Sequence, residues 1–376
     1  MTGEPSASAR ALTAVDSVHV IGTGLIGTSL GLALSRLGVD VTLEDASPTS
    51  TALARDLGAG RIGASESPSV VIVATPPDVT AAVVDDALRR WPTATVTDVA
   101  SVKGSIREAL QRAGVDLTRY VGSHPMAGRE RSGAVSGRVD LFEGRAWVIT
   151  AGDETRPESL ALVRRLAEAV GSAVTVMPPA DHDGAVAAVS HVPQVVASLV
   201  AARLEHLPDD AVALAGQGLR DVTRIAASDP QLWTQILAGN AAAVADVLES
   251  VATDLDAVVG ALRALDGEGG GAATVPGARA VLARSIAAGN SGHARIPGKH
   301  GAAPAHYATV RVVVDDRPGE LARLLADIGD AGVNLEELRL DHGLGQAFGL
   351  AEVDVLPASA TFLEEELVRR GWRLHG

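Results

Sequence analysis

Apolar positions in the first half of the chain fall into short unbroken runs separated by stretches with helical spacing. SVHVI (17–21) runs into GTGLIG and an alanine- and leucine-rich helix to about Leu37, and VDVTLED follows at once. VVIVATPP, ATVTDVAS (94–101), the strand-like YVGS and RAWVIT (145–150) repeat the theme, with helical stretches between them. Continuous apolar runs of this length are strands buried on both faces, as in a largely parallel sheet covered by helices. The pattern predicts a doubly wound α/β domain over 15–179, closing at Met177-Pro178-Pro179, after a disordered tail at 1–14.

Over 180–288 the pattern changes to long helices without a strand signal. GAVAAVSHVPQVVASLVAARL, DDAVALAGQGLRDVTRIAAS and the segment from Asp229 to Leu262 are apolar around most of their circumference. Helices of that kind bury a second side, so this all-α domain is expected to pack against another copy of itself in a homodimer. GEGGGA (267–272) is a break, a short helix is expected around 275–288, and the glycine-rich stretch 289–305 reads as a linker. From 306 to 376 the pattern restarts as strand YATVRVVVDD, helix, strand VNLEELRLD, strand AFGLAEVDVL, helix and a last strand at WRLH. That order, βαββαβ, makes a separate small α+β domain.

Composition narrows the function. The net charge of −14 and the absence of a Lys/Arg cluster exclude a nucleic-acid partner. With no cysteine there is no disulfide or thiolate site, and the ten histidines show no metal-ligand spacing, so no metal is expected. Gly184–Ala202 carries no charged side chain and is just long enough to span a bilayer, but His191, Pro193, Gln194 and two serines fit a buried helix better than lipid. No signal peptide is evident, so the cytoplasm is the expected location. Of 32 basic residues only Lys103 and Lys299 are lysines. A lysine kept in such an arginine-rich chain suggests a place where a compact ammonium is needed, although chance survival also accounts for two.

Gly22-Thr23-Gly24-Leu25-Ile26-Gly27 follows a strand, opens a helix and is trailed by Glu44-Asp45 at the end of the next strand, the context of a Rossmann-like dinucleotide site. Gly22 and Gly24 permit the turn and close approach of a pyrophosphate, Gly27 lets helix pack on strand, and Leu25 and Ile26 begin the helix whose N–H groups face the anion. Asp45 would accept from a ribose 2′-hydroxyl and repel a 2′-phosphate, which favours NAD over NADP; Glu44 should point to the opposite face. Thr75, at the turn closing VVIVATPP, joins the cofactor set. Asp98 and Ser101 in TDVASVK sit where a strand meets a helix, either as caps or at the ligand edge. His124 in GSHPMAG (122–128) is by itself a turn histidine or a group facing the nicotinamide crevice.

Together, GTGLIGTS, TDVASVK, GSHPMAG with Glu130 and Ser132-Gly133, SHVPQ and RDVTRIAASDPQLW resemble the prephenate dehydrogenase family, and VVVDDRPGELARLLADIGDAGVN resembles an ACT regulatory domain. The resemblance runs from about residue 15 to 265 and resumes in the terminal domain. It implies oxidative decarboxylation of prephenate to 4-hydroxyphenylpyruvate with NAD. In that chemistry a neutral imidazole at His124 accepts the proton of the ring hydroxyl as its carbon is oxidised. Ser101 would hold His124 and the nicotinamide in register, Arg224 would take a substrate carboxylate, and His191, Gln194 and Asp183 would line the substrate. Gln194 departs from members with histidine there, which leaves prephenate against arogenate open. Arg220, Trp233 and Lys299 read as a surface charge, a core aromatic and a loop lysine. Asp316, Pro318, Gly319 and Asn334 are either turn formers or, as in ACT domains, a site for an effector, for which L-tyrosine is the logical choice.

Two rivals come from elsewhere. A non-catalytic amino-acid sensor has no use for the His124, Ser101 and Arg224 set. A β-hydroxyacid dehydrogenase needs a lysine on the helical domain, and none lies between Lys103 and Lys299.

Overall fold

The computed structural model describes residues 15–128, 133–266, 277–296, 307–342 and 347–375. Glu130, Ser132, Lys299, the tail 1–14 and much of the expected linker lie outside them. The chain divides into two compact units, Met1–Thr253 and Asp254–Gly376.

The first unit is built on an eight-stranded sheet: β1 (Ser17–Ile21), β2 (Asp40–Glu44), β3 (Arg61–Ile62), β4 (Val70–Val73), β5 (Thr95–Asp98), β6 (Tyr120–Pro125), β7 (Ala146–Thr150) and β8 (Ala173–Val176), in the spatial order 3-2-1-4-5-6-7-8. Strands β1 to β6 run parallel; β7 is antiparallel to β6 and parallel to β8. The order reverses direction between β1 and β4, and ligands of such sheets sit outside the carboxyl ends of the strands at that point. All four residues of β4 and of β5 are buried, because helices cover both faces. One face packs Val18, Val20, Leu30, Leu34, Trp147 and Leu166; the other packs Val71, Val73, Leu88, Ile106 and Tyr120.

The helices that matter for the site are α1 (Leu25–Arg36), α4 (Gly104–Arg112), α6 (Pro179–Val186) and α7 (Val192–Ala202), counting Pro48–Asp56 and Pro77–Arg90 as α2 and α3 and Pro157–Ala169 as α5. A π-turn, Ala187–His191, joins α6 to α7. Asp209–Val212 (α8), Gln217–Thr223 (α9), a 3₁₀ turn at Arg224–Ala226, Pro230–Gly239 (α10) and Ala241–Asp266 (α11) follow. Pro179–Ala202 is long and apolar enough to cross a membrane, but it buries His182, Asp183, His191 and Gln194 against protein, with a third of its window buried.

In the second unit, β9 (Ala308–Asp315), α13 (Glu320–Asp330), β10 (Glu337–His342), β11 (Phe348–Val355), α14 (Pro357–Arg369) and β12 (Arg373–Leu374) form an antiparallel sheet of order 10-11-9-12, the expected βαββαβ arrangement. Alternate residues Val310, Val312 and Val314 of β9 face a core with Leu324, Ile328, Leu363 and Leu367, as a sheet covered on one side requires. The preceding helix, α12, spans Ala278–His293, so it continues through Gly289 into the stretch read as linker. Glycine costs a helix only about 1 kcal/mol per residue, which flanking alanines offset.

Candidate active site

The strands that precede or carry the candidate cofactor and catalytic groups, β1, β2, β4, β5 and β6, run parallel, so their carboxyl ends share one edge of the first sheet. Gly22 has φ +101° and a Cβ there would lie 2.3 Å from the Ala74 carbonyl oxygen; at Gly27 it would lie 1.9 Å from the Gly22 oxygen. Both positions need glycine so that β1, α1 and the end of β4 can touch. At Gly24, by contrast, a Cβ would meet nothing within 4 Å, so glycine there leaves open the approach to the N-terminus of α1. No side chain caps that helix, and its leading N–H groups at Leu25 and Ile26 are available to an anion. This is a cradle of the right chemistry for a pyrophosphate.

Asp45 lies beside it: its Oδ2 accepts from the Thr23 N–H (2.6 Å) and hydroxyl (2.9 Å), and its Oδ1 from the Ser47 N–H. Glu44 turns away and pairs with Arg90 at 3.0 Å and with buried His19 at 3.2 Å, which leaves Asp45 as the acidic group at the loop. Thr75 follows β4 at the same edge, its hydroxyl 3.1 Å from that of Thr80.

The end of β5 and the end of β6 are locked together below the crevice. The Lys103 ammonium, 2% exposed, donates to Asp98 and to the Ser123 carbonyl (2.7 Å); Asp98 also accepts from the Tyr120 hydroxyl (2.7 Å) and the Ala100 N–H. Burial pulls the lysine below its ordinary ammonium value against the pull of Asp98, and burial with the Asp98 charge pushes the Tyr120 phenol well up. The compact ammonium therefore has a structural task, fixing the residue immediately before His124.

His124, half-buried on β6, is held from the helical part of the same unit. Its Nδ1 lies 2.9 Å from Nε2 of His182, whose Nδ1 lies 2.7 Å from Oδ1 of Asp183. Asp183 also accepts from the backbone N–H groups of Lys103 (3.0 Å) and Gly104 (2.7 Å), which caps α4. Burial raises the Asp183 pKa, but these donors outweigh it and hold the carboxyl below its ordinary value. Burial, then the neighbouring His182, Lys103 and His191, depress the His124 pKa well below its usual range, so the ring is neutral at physiological pH.

At two of the expected site residues the contacts run elsewhere. Both oxygens of Asp183, expected to line the substrate, accept from His182 and the α4 N-terminus. No hydrogen bond joins Ser101 to His124 among the described residues; Ser101 is half-buried at the β5–α4 connection, and His182 steadies the imidazole instead. His182 escapes a sequence reading because Asp181-His182-Asp183 after two prolines looks like a solvated charge run. The one available signal was its place at a helix start opposite the strand edge.

His191 is buried, 3.2 Å from the Asn240 amide and edge-on to Trp233, with burial holding its pKa low. Trp233 packs against the core below β5, so its reading as a core aromatic holds. Gln194 is buried one turn on, accepting from Ser228 at 3.4 Å; Ser228 lies just beyond the 3₁₀ turn that carries exposed Arg224. His191, Gln194 and Arg224 thus belong to one cluster of packed elements, with Asn240 added by the structure. In the second unit Asp316, Pro318 and Gly319 precede α13 and Asn334 follows it. The 11-residue helix separates the two groups by roughly 16 Å of rise, so a single copy of the domain does not bring them together.

A glycine loop opening a helix at the carboxyl edge of a Rossmann-like sheet, an acidic side chain at Asp45 beside it and a neutral histidine at the same edge suit a nicotinamide-dependent oxidoreductase. The profile described as "Prephenate dehydrogenase, nucleotide-binding domain" matches residues 30–176, and "Prephenate dehydrogenase, dimerization domain" matches 178–269. A protein of Streptomyces niveus named "Probable prephenate dehydrogenase NovF" is 38% identical over 94% of this chain and 98% of its own. The chain belongs to the prephenate dehydrogenase family. Among solved structures, prephenate dehydrogenase from A. aeolicus, in complex with hydroxyphenyl propionate and NAD+, is 30% identical with TM-score 0.61 over 73% of this chain and 98% of that one. Synechocystis arogenate dehydrogenase is 27% identical with TM-score 0.60 over 73% and 99%.

Proposed function

We propose that the chain catalyses the NAD-dependent oxidative decarboxylation of prephenate to 4-hydroxyphenylpyruvate, in the route to L-tyrosine, as a cytoplasmic homodimer. The observation that carries the reading is the neutral imidazole of His124, fixed on β6 at the same carboxyl edge of the sheet as the cradle. NAD supplies the hydride acceptor when bound. Gly22, Gly24, Leu25, Ile26 and Gly27 hold its pyrophosphate, Asp45 its ribose, and Thr75 and Ser101 flank its nicotinamide end. His124 accepts the proton of the substrate's ring hydroxyl as that carbon becomes a carbonyl, and loss of carbon dioxide then restores aromaticity. Arg224 takes a substrate carboxylate, and His191 and Gln194 line the substrate's other end. Exposed apolar side chains on the helical part, Val189, Leu199 and Leu214, supply a surface for a second copy.

Arogenate is the competing substrate: the chain is also similar to an arogenate dehydrogenase, and Gln194 leaves the choice open. Steady-state assays with prephenate and arogenate, each with NAD and NADP, decide between them: the reading expects turnover of prephenate with NAD, and turnover of arogenate alone overturns it. L-Tyrosine is the proposed effector through the terminal ACT-like domain, with Asp316, Pro318, Gly319 and Asn334 meeting across a domain pair. Removal of residues 300–376 should then abolish any tyrosine response and keep NAD-dependent activity.

Two substitutions probe the binding roles. Asp45→Ala should move cofactor choice toward NADP, because a 2′-phosphate no longer meets a carboxylate; an unchanged NADP/NAD ratio of kcat/KM removes Asp45 from that role. Arg224→Ala should raise KM for prephenate far more than for NAD, by a factor equivalent to about 2–3 kcal/mol for a lost charge-assisted pair.

A further inference from the structure

The His124–His182–Asp183 chain has a direction. Asp183 is an acceptor on every contact it makes, with two backbone N–H groups and the His182 ring pointing at it. A carboxylate facing Nδ1 of His182 requires the proton to be there, so Nε2 of His182 carries a lone pair. That lone pair faces Nδ1 of His124 at 2.9 Å, and the contact is a hydrogen bond only if His124 carries its proton on Nδ1. Nε2 of His124 is then the nitrogen left unprotonated. The opposite assignment would set a bare His182 nitrogen against the Asp183 carboxylate and turn His124 Nε2 into a donor.

We propose that His182 is a positioning residue that selects the Nδ1–H tautomer of His124 and so makes Nε2 a proton acceptor, with Asp183 fixing the polarity of the chain. The proposal rests on the reading of His124 as the base. When the substrate hydroxyl gives its proton to Nε2, His124 becomes an imidazolium that keeps Nδ1–H and donates it more strongly to His182. No proton has to move on to Asp183, whose charge stabilises the cation through the intervening ring. Asp183 belongs to α6 and caps α4, so the same carboxylate that sets the tautomer ties the helical part to the strand edge carrying His124. The other charged or titratable groups around the pair are Lys103 with Asp98 and Tyr120 below β6, and His191 from the π-turn.

The test is ¹⁵N NMR of the full-length protein labelled on histidine, with His124→Asn identifying the His124 signals, alongside kinetics of His182→Leu and His182→Gln. Wild type should show His124 as Nδ1–H at neutral pH. His182→Leu should shift it toward Nε2–H and lower kcat by about 100-fold or more, with KM for NAD changed less than about threefold. His182→Gln, whose side-chain oxygen can stand near the Nε2 position, should recover about tenfold or more of that loss. An Nε2–H tautomer in the wild type overturns the proposal whether or not either variant folds. So does a His182→Leu protein with unchanged tautomer and kcat. Wild-type protein that shows the Nδ1–H tautomer but does not oxidise prephenate overturns the reaction assigned to His124 and leaves the tautomer relay standing.

Discussion

Replacing His124 with asparagine should lower kcat by about 10²- to 10⁴-fold while leaving the Kd for NAD within about threefold of wild type. The cradle proposed for the cofactor is built from β1, α1 and the Asp45 loop, which make no hydrogen bond to the His124 ring among the described residues, so cofactor binding should change little. The imidazole instead serves the step in which the ring hydroxyl loses its proton, and an amide cannot take that proton. Wild-type turnover in the variant removes His124 from the chemistry. The same geometry sets the pH profile. Because burial and neighbouring charge depress the His124 pKa below its ordinary 6.5, the reactive neutral form persists through neutrality, and the acid limb of kcat/KM should appear only below that value. The sign for stability agrees. The unfolded chain takes up this proton near 6.5 and the folded protein only at lower pH, so stability falls as pH drops below that point.

The parts of the fold legible in the sequence include β1, β4 and β5, whose burial on both faces leaves no polar-out alternation, and the valine-rich β9, whose alternate positions face a core on one side. The structure adds β3 and β8, which the pattern hides for a physical reason. β3 is the two-residue pair Arg61–Ile62 at the sheet's edge, and β8 (AVTV) is exposed at three of its four positions, so neither carries a burial signal. The antiparallel turn of β7 against β6 is also invisible, since a strand's sequence does not encode the direction of its neighbour. In the site, the glycine loop and Asp45 were readable because their spacing is dictated by local contacts. His124 and Lys103 stood out by type. Their partners were not readable: Asp183 meets Lys103 across 80 positions and His182 meets His124 across 58, and only the packing of α6 on the strand edge brings them together. That packing also engages both Asp183 oxygens with His182 and the start of α4.

Lys103→Met should destabilise the first unit by about 3–5 kcal/mol, the largest stability effect expected of any single change here. The reason is the Asp98 carboxylate, which is fully buried and has the Lys103 ammonium as its countercharge. Methionine matches the length of the lysine stem and fills the same volume, so the loss isolates the charge and not a cavity. Asp98 would keep the Tyr120 hydroxyl and the Ala100 N–H, two neutral donors that cannot balance a full negative charge at zero exposure. Lys103→Arg should fail to rescue, because a planar guanidinium is bulkier than the ammonium it replaces and the Ser123 carbonyl and Asp98 already close around that position. Urea denaturation of the two single variants and of Lys103→Met combined with Asp98→Asn separates the terms. If the ion pair is the cause, neutralising Asp98 in the methionine background should restore at least half of the lost stability, since the buried charge that lacked a partner is gone. A Lys103→Met protein within about 1 kcal/mol of wild type would show that the tie between β5 and β6 does not depend on the Lys103 countercharge and is carried by the remaining hydrogen bonds.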